Sequence, residues 1–371
     1  MRVAIVHYWL LNMRGGEKVI ESLCRMYPDA DIFTHVVDRA ALSDTLSGHK
    51  ITESFIARLP FAGRLYQKYL PFMPAALEAL DLTSYDLVIS SESGPAKGVI
   101  TSPDAVHICY CHSPMRYLWD QYHVYRAQAG RLAKLMMPFI SPALRRWDVA
   151  SAARVDHFIA NSNYIRRRIR KFWRRDASVI FPPVFVEDFD PVPDDDVEDF
   201  YLWVGELVSY KRADIMVEAF AKSGRRLIVI GGPDGAVKEL SKIASDNITF
   251  LGKTDFPTLK SHMARCRALI FPGEEDFGIV PVEVMASGRP VIAYGRGGAL
   301  DTVVEGVSGI FFDDPTVEGL NAAIERFETD MLDNLDQAAI LEHAQSFNEA
   351  RFQAQIQAII DAEVLAMKAG S

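Results

Sequence analysis

Short apolar runs alternate with longer stretches of helical periodicity along the whole chain. In the first half the runs are RVAIVHY (2–8), DIFTHVV (31–37), DLVISS (86–91), VHICYC (106–111) and HFIANS (157–162). In the second they are FYLWVG (200–205), RLIVIGG (226–232), ITFLG (248–252), ALIFP (268–272) and PVIAY (290–294). Each is too short for a helix and is bounded by turn-forming or polar residues, which marks a strand. Apolar strands separated by helical stretches argue for a parallel sheet covered on both faces. The pattern predicts an α/β protein with two Rossmann-like, doubly wound parallel-sheet domains facing across a cleft, the usual place for ligands.

The two sets of strands are separated by FPPVFVEDFDPVPDDDVEDF (181–200), rich in proline and acid, which reads as an extended polar linker. The expected domains are therefore 1–185 and 186–345. The remaining segment, 346–371, reads as a helix. Ser346 and Glu349 fit a capping box, and Phe352, Ile356, Ile359, Ile360 and Val364 form an apolar stripe.

The chain has 371 residues, of which 49% are hydrophobic and 24% charged, the composition of a globular protein with room for two domains. The net charge of −9 conceals opposite halves: residues 1–185 carry 24 Lys+Arg against 16 Asp+Glu, the remainder 16 against 33. Such an asymmetry implies different partners for the two halves. Cys24, Cys109, Cys111 and Cys266 form no CxxC pair and no disulfide framework, which points to a reducing compartment. Cys109 and Cys111 share a strand face with His107, as a metal site or as small buried residues, and the second reading suits their size better. Arg2 is followed at once by a strand, not by a signal peptide, and no apolar run reaches the roughly 20 residues that span a bilayer. These features imply a cytoplasmic location. No GxGxxG is present, so a dinucleotide cofactor has no support.

The stretch richest in chemistry is FPGEEDFGIVPVEVMASGRPVIAYGRGG (271–298). Residues 280–287 (VPVEVMAS) read as a helix, with Pro281 in its first turn and Gly288 at its end. Glu275 then lies in the loop after a strand's carboxyl end, and Glu283 lies on the following helix. Ligands bind at that edge of an open α/β sheet. Two carboxylates there accept hydrogen bonds only, so they suit a ligand with many hydroxyls, such as a sugar and a ribose. The next strand opens into Gly295, Arg296, Gly297 and Gly298, where a ligand can approach the backbone closely. In VGELVSYKRAD (204–214), Lys211 and Arg212 stand after a strand and beside a helix start, where the helix dipole disfavours cations unless an anion binds.

Segment 271–298 resembles the donor-binding motif of retaining glycosyltransferases of family 4, which have the GT-B fold, and the resemblance extends over nearly the whole chain. It implies that Glu275 lies at the donor sugar hydroxyls and that Glu283 binds the ribose. The backbone of Phe277, Gly278 and Ile279 would then meet the sugar and diphosphate. Lys211, following Gly205, matches the family's diphosphate lysine. Glu206 occupies the place of the family's arginine, and Arg212 stands where the family often has glycine, as a candidate replacement for that guanidinium. Gly15 and Gly16 resemble the glycine-rich first loop, and His112 matches a histidine that faces the donor sugar. Gly231 would pass near the nucleotide, and Lys253 follows the strand whose backbone meets the base. The resemblance thus makes Glu275, His112 and Lys211 the catalytic set. It also implies that the final helix crosses back onto the first domain.

The implied reaction moves a hexose, with retention, from a nucleotide-diphosphate sugar to a glycan or polyprenyl-diphosphate-linked acceptor in bacterial surface polysaccharide synthesis. YGRGGALDTV (294–303) looks closer to mannosyltransferases, which makes GDP-mannose the first donor to consider. Neither a metal nor another cofactor is expected. A sugar-nucleotide epimerase or glycosyl phosphorylase of the same fold, and a non-catalytic nucleotide-sugar binding protein, are the alternatives. In residues 165–175, Ile165, Ile169, Phe172 and Trp173 recur at helical spacing among arginines and Lys171. They form either a core stripe with a solvated basic face or an amphipathic helix on an anionic membrane, peripheral at its inner face. Residues 131–147 are a second such candidate. No nucleic-acid motif accompanies the basic face.

Overall fold

The computed structural model describes residues 1–370. The chain divides into two units, one made of Met1–Pro183 together with the segment from Phe352 onward, the other of Val184–Arg351. The first contains strands β1 (Val3–His7), β2 (Asp31–Thr34), β3 (Ile51–Glu53), β4 (Leu87–Glu92), β5 (Val106–Cys111), β6 (His157–Ala160) and β7 (Ser178–Val179) in one sheet of order β3-β2-β1-β4-β5-β6-β7. The second contains β8 (Tyr201–Val204), β9 (Leu227–Ile230), β10 (Ile248–Gly252), β11 (Leu269–Phe271), β12 (Val291–Tyr294) and β13 (Gly309–Phe312), ordered β10-β9-β8-β11-β12-β13. All the strand pairings are parallel. Both sheets are therefore doubly wound and reverse their strand order once, between β1 and β4 and between β8 and β11. At such a switch point the connections leave in opposite directions and open a crevice at the strands' carboxyl ends.

β3, β7 and β13 were not apparent in the apolar pattern. All three are edge strands, paired on one side only; β3 and β7 are short and only partly buried, so little of an apolar pattern survives in them, whereas β13 is mostly buried and its run GIFF is apolar. The stretch 181–200 also differs from the expected free linker. Val184, Val186 and Phe189 are buried, two short 3₁₀ turns (Val186–Asp188 and Asp194–Asp196) shape it, and the Val184 amide donates to the Phe347 carbonyl at 2.9 Å. Its apolar residues dock on the second unit, and the acids between them, with Pro191 and Pro193, face water.

The helix Glu349–Gly370 completes the core of the first unit. Phe352, Ile356 and Ile360 are buried with Ile5, Leu23, Ile89 and Tyr110, and Ile359 and Val364 pack against the same cluster. The expected capping box is absent. Ser346 ends the preceding helix, its hydroxyl donating to the His343 carbonyl at 2.7 Å, and Asn348 caps instead, accepting from the Arg351 amide at 2.8 Å. Asparagine is an equally good cap and stands at the residue immediately before the helix.

Three charged side chains of this unit, Lys97, Glu92 and Asp148, are wholly buried together. The Lys97 ammonium lies against Asp148 and 3.3 Å from Glu92, and all three side chains have no solvent exposure. Trp119 and Trp173 each donate an indole N–H to Asp148 at 2.8 Å, and the ammonium sits 4.2 Å from the Trp173 ring centroid. Glu92 also accepts from the Ala96 and Lys97 amides, which pins the loop leaving β4.

Candidate active site

In the second unit the backbone beyond β8, β9 and β10 is tied together at the carboxyl edge. The Gly205 amide donates to Ile230 at 3.0 Å and the Gly231 amide to Gly252 at 2.7 Å. Gly231 packs directly on the Gly205 carbonyl. Lys253 follows Gly252 and is exposed at this edge. After Gly205 the chain makes one 3₁₀ turn, Ser209–Lys211, and enters the helix Ala213–Ser223.

This turn aims Lys211 at the loop after β11. Its ammonium lies 2.8 Å from the Glu275 carboxylate, and the two side chains are only 14% and 20% exposed. Glycine makes the approach possible. A Cβ on Gly273 would stand 2.7 Å from the Lys211 Cα, and one on Gly205 would stand 2.9 Å from its Nζ. The loop carrying Glu275 is fixed in turn by the glycine loop after β12, because the Gly298 amide donates to the Glu275 carbonyl at 2.8 Å. The two strand-to-loop junctions singled out in the sequence are thus joined. Phe277 is buried with its ring 5.8 Å from that of Phe347, so its side chain belongs to the core and only its backbone is left for a ligand. Gly278 and Ile279 begin the helix Ile279–Ala286, which carries Glu283, half-buried, on its first turns.

Arg212 has a left-handed backbone, φ 50°, a conformation that costs a non-glycine residue on the order of 1 kcal/mol. That geometry accounts for the suitability of glycine at this position. Its guanidinium pairs with Asp214 at 3.2 Å on the surface, whereas Lys211 points at Glu275.

In the first unit the polar groups collect at the β1/β4 switch point. His112, immediately after β5, has its Nε2 2.8 Å from Ser91 Oγ, and the same hydroxyl is 3.0 Å from His7 Nδ1. His7 Nε2 stands 3.9 Å from Glu17. Burial above all, with His7 as neighbour, pushes the His112 imidazole down to about 3, so the ring is neutral at neutral pH. Burial alone would raise the Glu17 carboxyl. Its contacts with His7 and the Arg14 amide outweigh that and hold it below the ordinary value. Gly15 and Gly16 open the helix Gly15–Met26, and a Cβ on Gly16 would lie 2.7 Å from the Tyr8 hydroxyl and 3.8 Å from His112 Nε2. Glycine here lets the helix start lie against the strand-end histidines. His7, Glu17, Ser91 and Gly273 escaped the sequence reading. The available signal was the polar residue closing an otherwise apolar strand, His7 in RVAIVHY and Ser91 in DLVISS.

A family model described as Glycosyltransferase Family 4 matches residues 13–188, and one described as Glycosyl transferases group 1 matches residues 186–346. The chain thus carries the domains of these two glycosyltransferase families one after the other, over residues 13–346, and its fold is that of the GT-B glycosyltransferases. It is 27% identical over 259 residues to the alpha-1,3/1,6-mannosyltransferase ALG2 of Kluyveromyces lactis, a match covering 56% of this chain and 49% of that protein. It is 30% identical over 153 residues to the O-antigen chain mannosyltransferase RfbU of Salmonella typhimurium, covering 38% and 43%. The chain spans about half the length of the curated relatives it matches. Among solved structures, HepE from Anabaena, in complex with UDP and glucose, superposes with a TM-score of 0.70 at 18% identity, covering 97% of this chain and 99% of that one.

The surface of this glycosyltransferase corrects one expectation. In the helix Asn163–Trp173, Ile165, Ile169 and Trp173 face the core, so the apolar stripe has no free face. Arg168 is buried too, donating to Ser113 and Asp120 at 2.6 Å each. What remains exposed is basic: Arg166, Arg167, Arg170, Lys171 and Arg174. Exposed apolar residues occur instead on the helix Arg131–Ala152, where Leu132 (75%), Leu135 (65%), Met136 and Phe139 (75%) face solvent. No helix among the described residues is long and apolar enough to cross a membrane, and no cluster of three His, Cys, Asp or Glu among them could hold a metal ion. His107 bonds Ser90 at 2.9 Å, and burial raises the thiols of Cys109 and Cys111.

Proposed function

We propose that this glycosyltransferase moves a hexose, mannose first, from a nucleotide-diphosphate sugar to a glycan or lipid-linked acceptor, with retention and without a metal ion. The observation that carries the reading is the Lys211–Glu275 pair at the β8/β11 switch point, a cation and an acceptor-only group within 2.8 Å of each other beside two helix N-termini. Departure of the sugar places new negative charge on the diphosphate. Lys211 and the amides opening the helix Ile279–Ala286 are fixed donors to that charge and need no reorganisation. Glu275 accepts from sugar hydroxyls, which confines the ring, and Glu283 does the same for the ribose. The chain supplies no carboxylate that must act as nucleophile in this scheme. The departing phosphate oxygen takes the acceptor hydroxyl's proton on the face it leaves, and so configuration is retained. The mannosyltransferase relatives and the UDP-bound neighbour support the substrate class.

The test is a thermal-shift screen of GDP, UDP and ADP with their sugar conjugates, followed by turnover with EDTA present. A selective nucleotide at a hundred times its Kd stabilises the native state by about 2.7 kcal/mol. EDTA is expected to leave turnover unchanged. A chain that no nucleotide stabilises does not have this function.

The same reading gives the first unit an anionic membrane surface as partner, through the exposed stripe Leu132, Leu135, Met136 and Phe139 with Arg131 and Lys134 beside it. Immersing each large apolar side chain contributes about 1.5–3 kcal/mol and each nearby cation about 1 kcal/mol. The protein is expected to sediment with phosphatidylglycerol vesicles at moderate salt. The double variant Leu135→Glu, Phe139→Glu is expected to partition at least tenfold less while melting at the same temperature. Equal sedimentation of the two proteins, or none of either, removes this partner.

A further inference from the structure

We propose that Glu17 and His7 are positioning residues that, through the Ser91 hydroxyl, fix which nitrogen of His112 is bare, leaving Nδ1 as a hydrogen-bond acceptor for a ligand hydroxyl. The proposal rests on the reading of His112 as a sugar-facing residue. Its basis is a linear chain of polar atoms at the β1/β4 switch point: Glu17 Oε1, 3.9 Å, His7 Nε2; His7 Nδ1, 3.0 Å, Ser91 Oγ; Ser91 Oγ, 2.8 Å, His112 Nε2. Glu17, His7 and Ser91 are all buried, so water does not rearrange the chain.

Each step follows from counting protons. The Glu17 carboxylate carries none and is held in place by the Arg14 amide at 3.1 Å. Facing it, His7 Nε2 is more stable with a proton than with a lone pair, since like-signed ends repel at this distance in a medium of low dielectric. His7 Nε2 has no hydrogen-bond partner among the described residues, so the field of Glu17 is what selects the tautomer. With one ring proton, on Nε2, His7 is bare at Nδ1 and must accept from Ser91. The single Ser91 proton is then committed, and its oxygen can only accept from His112 Nε2–H. The neutral His112 ring is left bare at Nδ1, which makes no hydrogen bond among the described residues. His112 is half-buried, and this nitrogen is its remaining polar atom. A second-sphere carboxylate orienting a histidine is a common device where a ring must present one defined nitrogen.

The experiment is long-range proton–nitrogen NMR of the full chain labelled with ¹⁵N-histidine, with the His112 signals assigned by their loss in His112→Gln. The expected result is a His112 ring protonated at Nε2 and bare at Nδ1. Ser91→Ala is expected to mix the two tautomers and to lower kcat/KM with GDP-mannose about tenfold, in the range that second-sphere losses produce. Ser91→Thr, which restores the hydroxyl, is expected to restore both. A His112 protonated at Nδ1 means that the chain runs the other way, from a doubly protonated His7, and overturns the proposal. An unchanged tautomer in Ser91→Ala overturns it as well. If the tautomer shifts while turnover does not, the hydrogen-bond chain stands and the sugar-facing role of His112 falls. The NMR result decides the tautomer even if GDP-mannose is not turned over.

Discussion

Glu275→Ala is expected to lower kcat/KM for sugar transfer by about a hundredfold to a thousandfold and to leave the protein folded. The size follows from what the carboxylate does in the proposed site. A charge-assisted hydrogen bond to a hydroxyl contributes about 1.5–3 kcal/mol, and a carboxylate that orients a sugar ring makes one or two. Losing about 3–4 kcal/mol of transition-state binding corresponds to that rate loss. The variant also leaves Lys211 without its partner 2.8 Å away. A free ammonium beside a bound diphosphate tightens ground-state binding, so KM is expected to change less than kcat. The stability cost is small, about 1 kcal/mol, because both side chains retain some contact with water. Steady-state kinetics and a melting curve on the same preparation separate the two effects. Turnover within a few-fold of the parent would place the chemistry elsewhere.

The largest stability effect is expected from Lys97→Ala, which leaves Glu92 and Asp148 buried with no cation. Removing one partner of a buried ionic group costs about 3–5 kcal/mol, because the remaining charge has neither water nor a counter-ion. The loss depends on pH, and its sign follows from Glu92. Burial raises this carboxyl and the Asp148 charge adds to the effect, while the Lys97 charge and the Lys97 and Ala96 amides oppose it, with a net rise. A carboxyl raised on folding favours the native state most below its unfolded value, and that contribution is lost as pH climbs through the folded value. Without Lys97 the folded value rises further. The variant is therefore expected to lose more stability relative to the parent at pH 8 than at pH 5. Urea unfolding at both pH values measures this. A deficit under 1 kcal/mol, or one independent of pH, would contradict the buried ionic group.

Much of this molecule was legible in its sequence. The central strands were visible because they are buried on both faces, which leaves an apolar run. Glu275, Lys211 and Gly205 were visible because loops that must approach one another closely are built from glycine, acid and proline in short order, and the structure brings these residues together. What stayed hidden depends on distant partners. His7 and Ser91 lie 84 residues apart and acquire meaning only as neighbours. The direction of the Asn163–Trp173 helix could not be read either, since its apolar stripe suits a membrane and a core equally well. Lys97 looked like any lysine, and its burial depends on Asp148, Trp119 and Trp173, all later in the chain. Arg212 stood where glycine is usual, and only the left-handed φ of 50° shows what that substitution costs.

The placement of Phe352, Ile356 and Ile360 in the same core as Ile5 and Ile89 reaches back to the birth of the protein. A ribosome releases the amino-terminal sheet long before it has made the helix that seals it. The stretch Val184–Arg351 is continuous and holds its whole core, so it can close on its own as soon as it emerges. The part translated first thus matures last, and until then its unsealed apolar surface is the place where the newborn chain is open to aggregation and to chaperones.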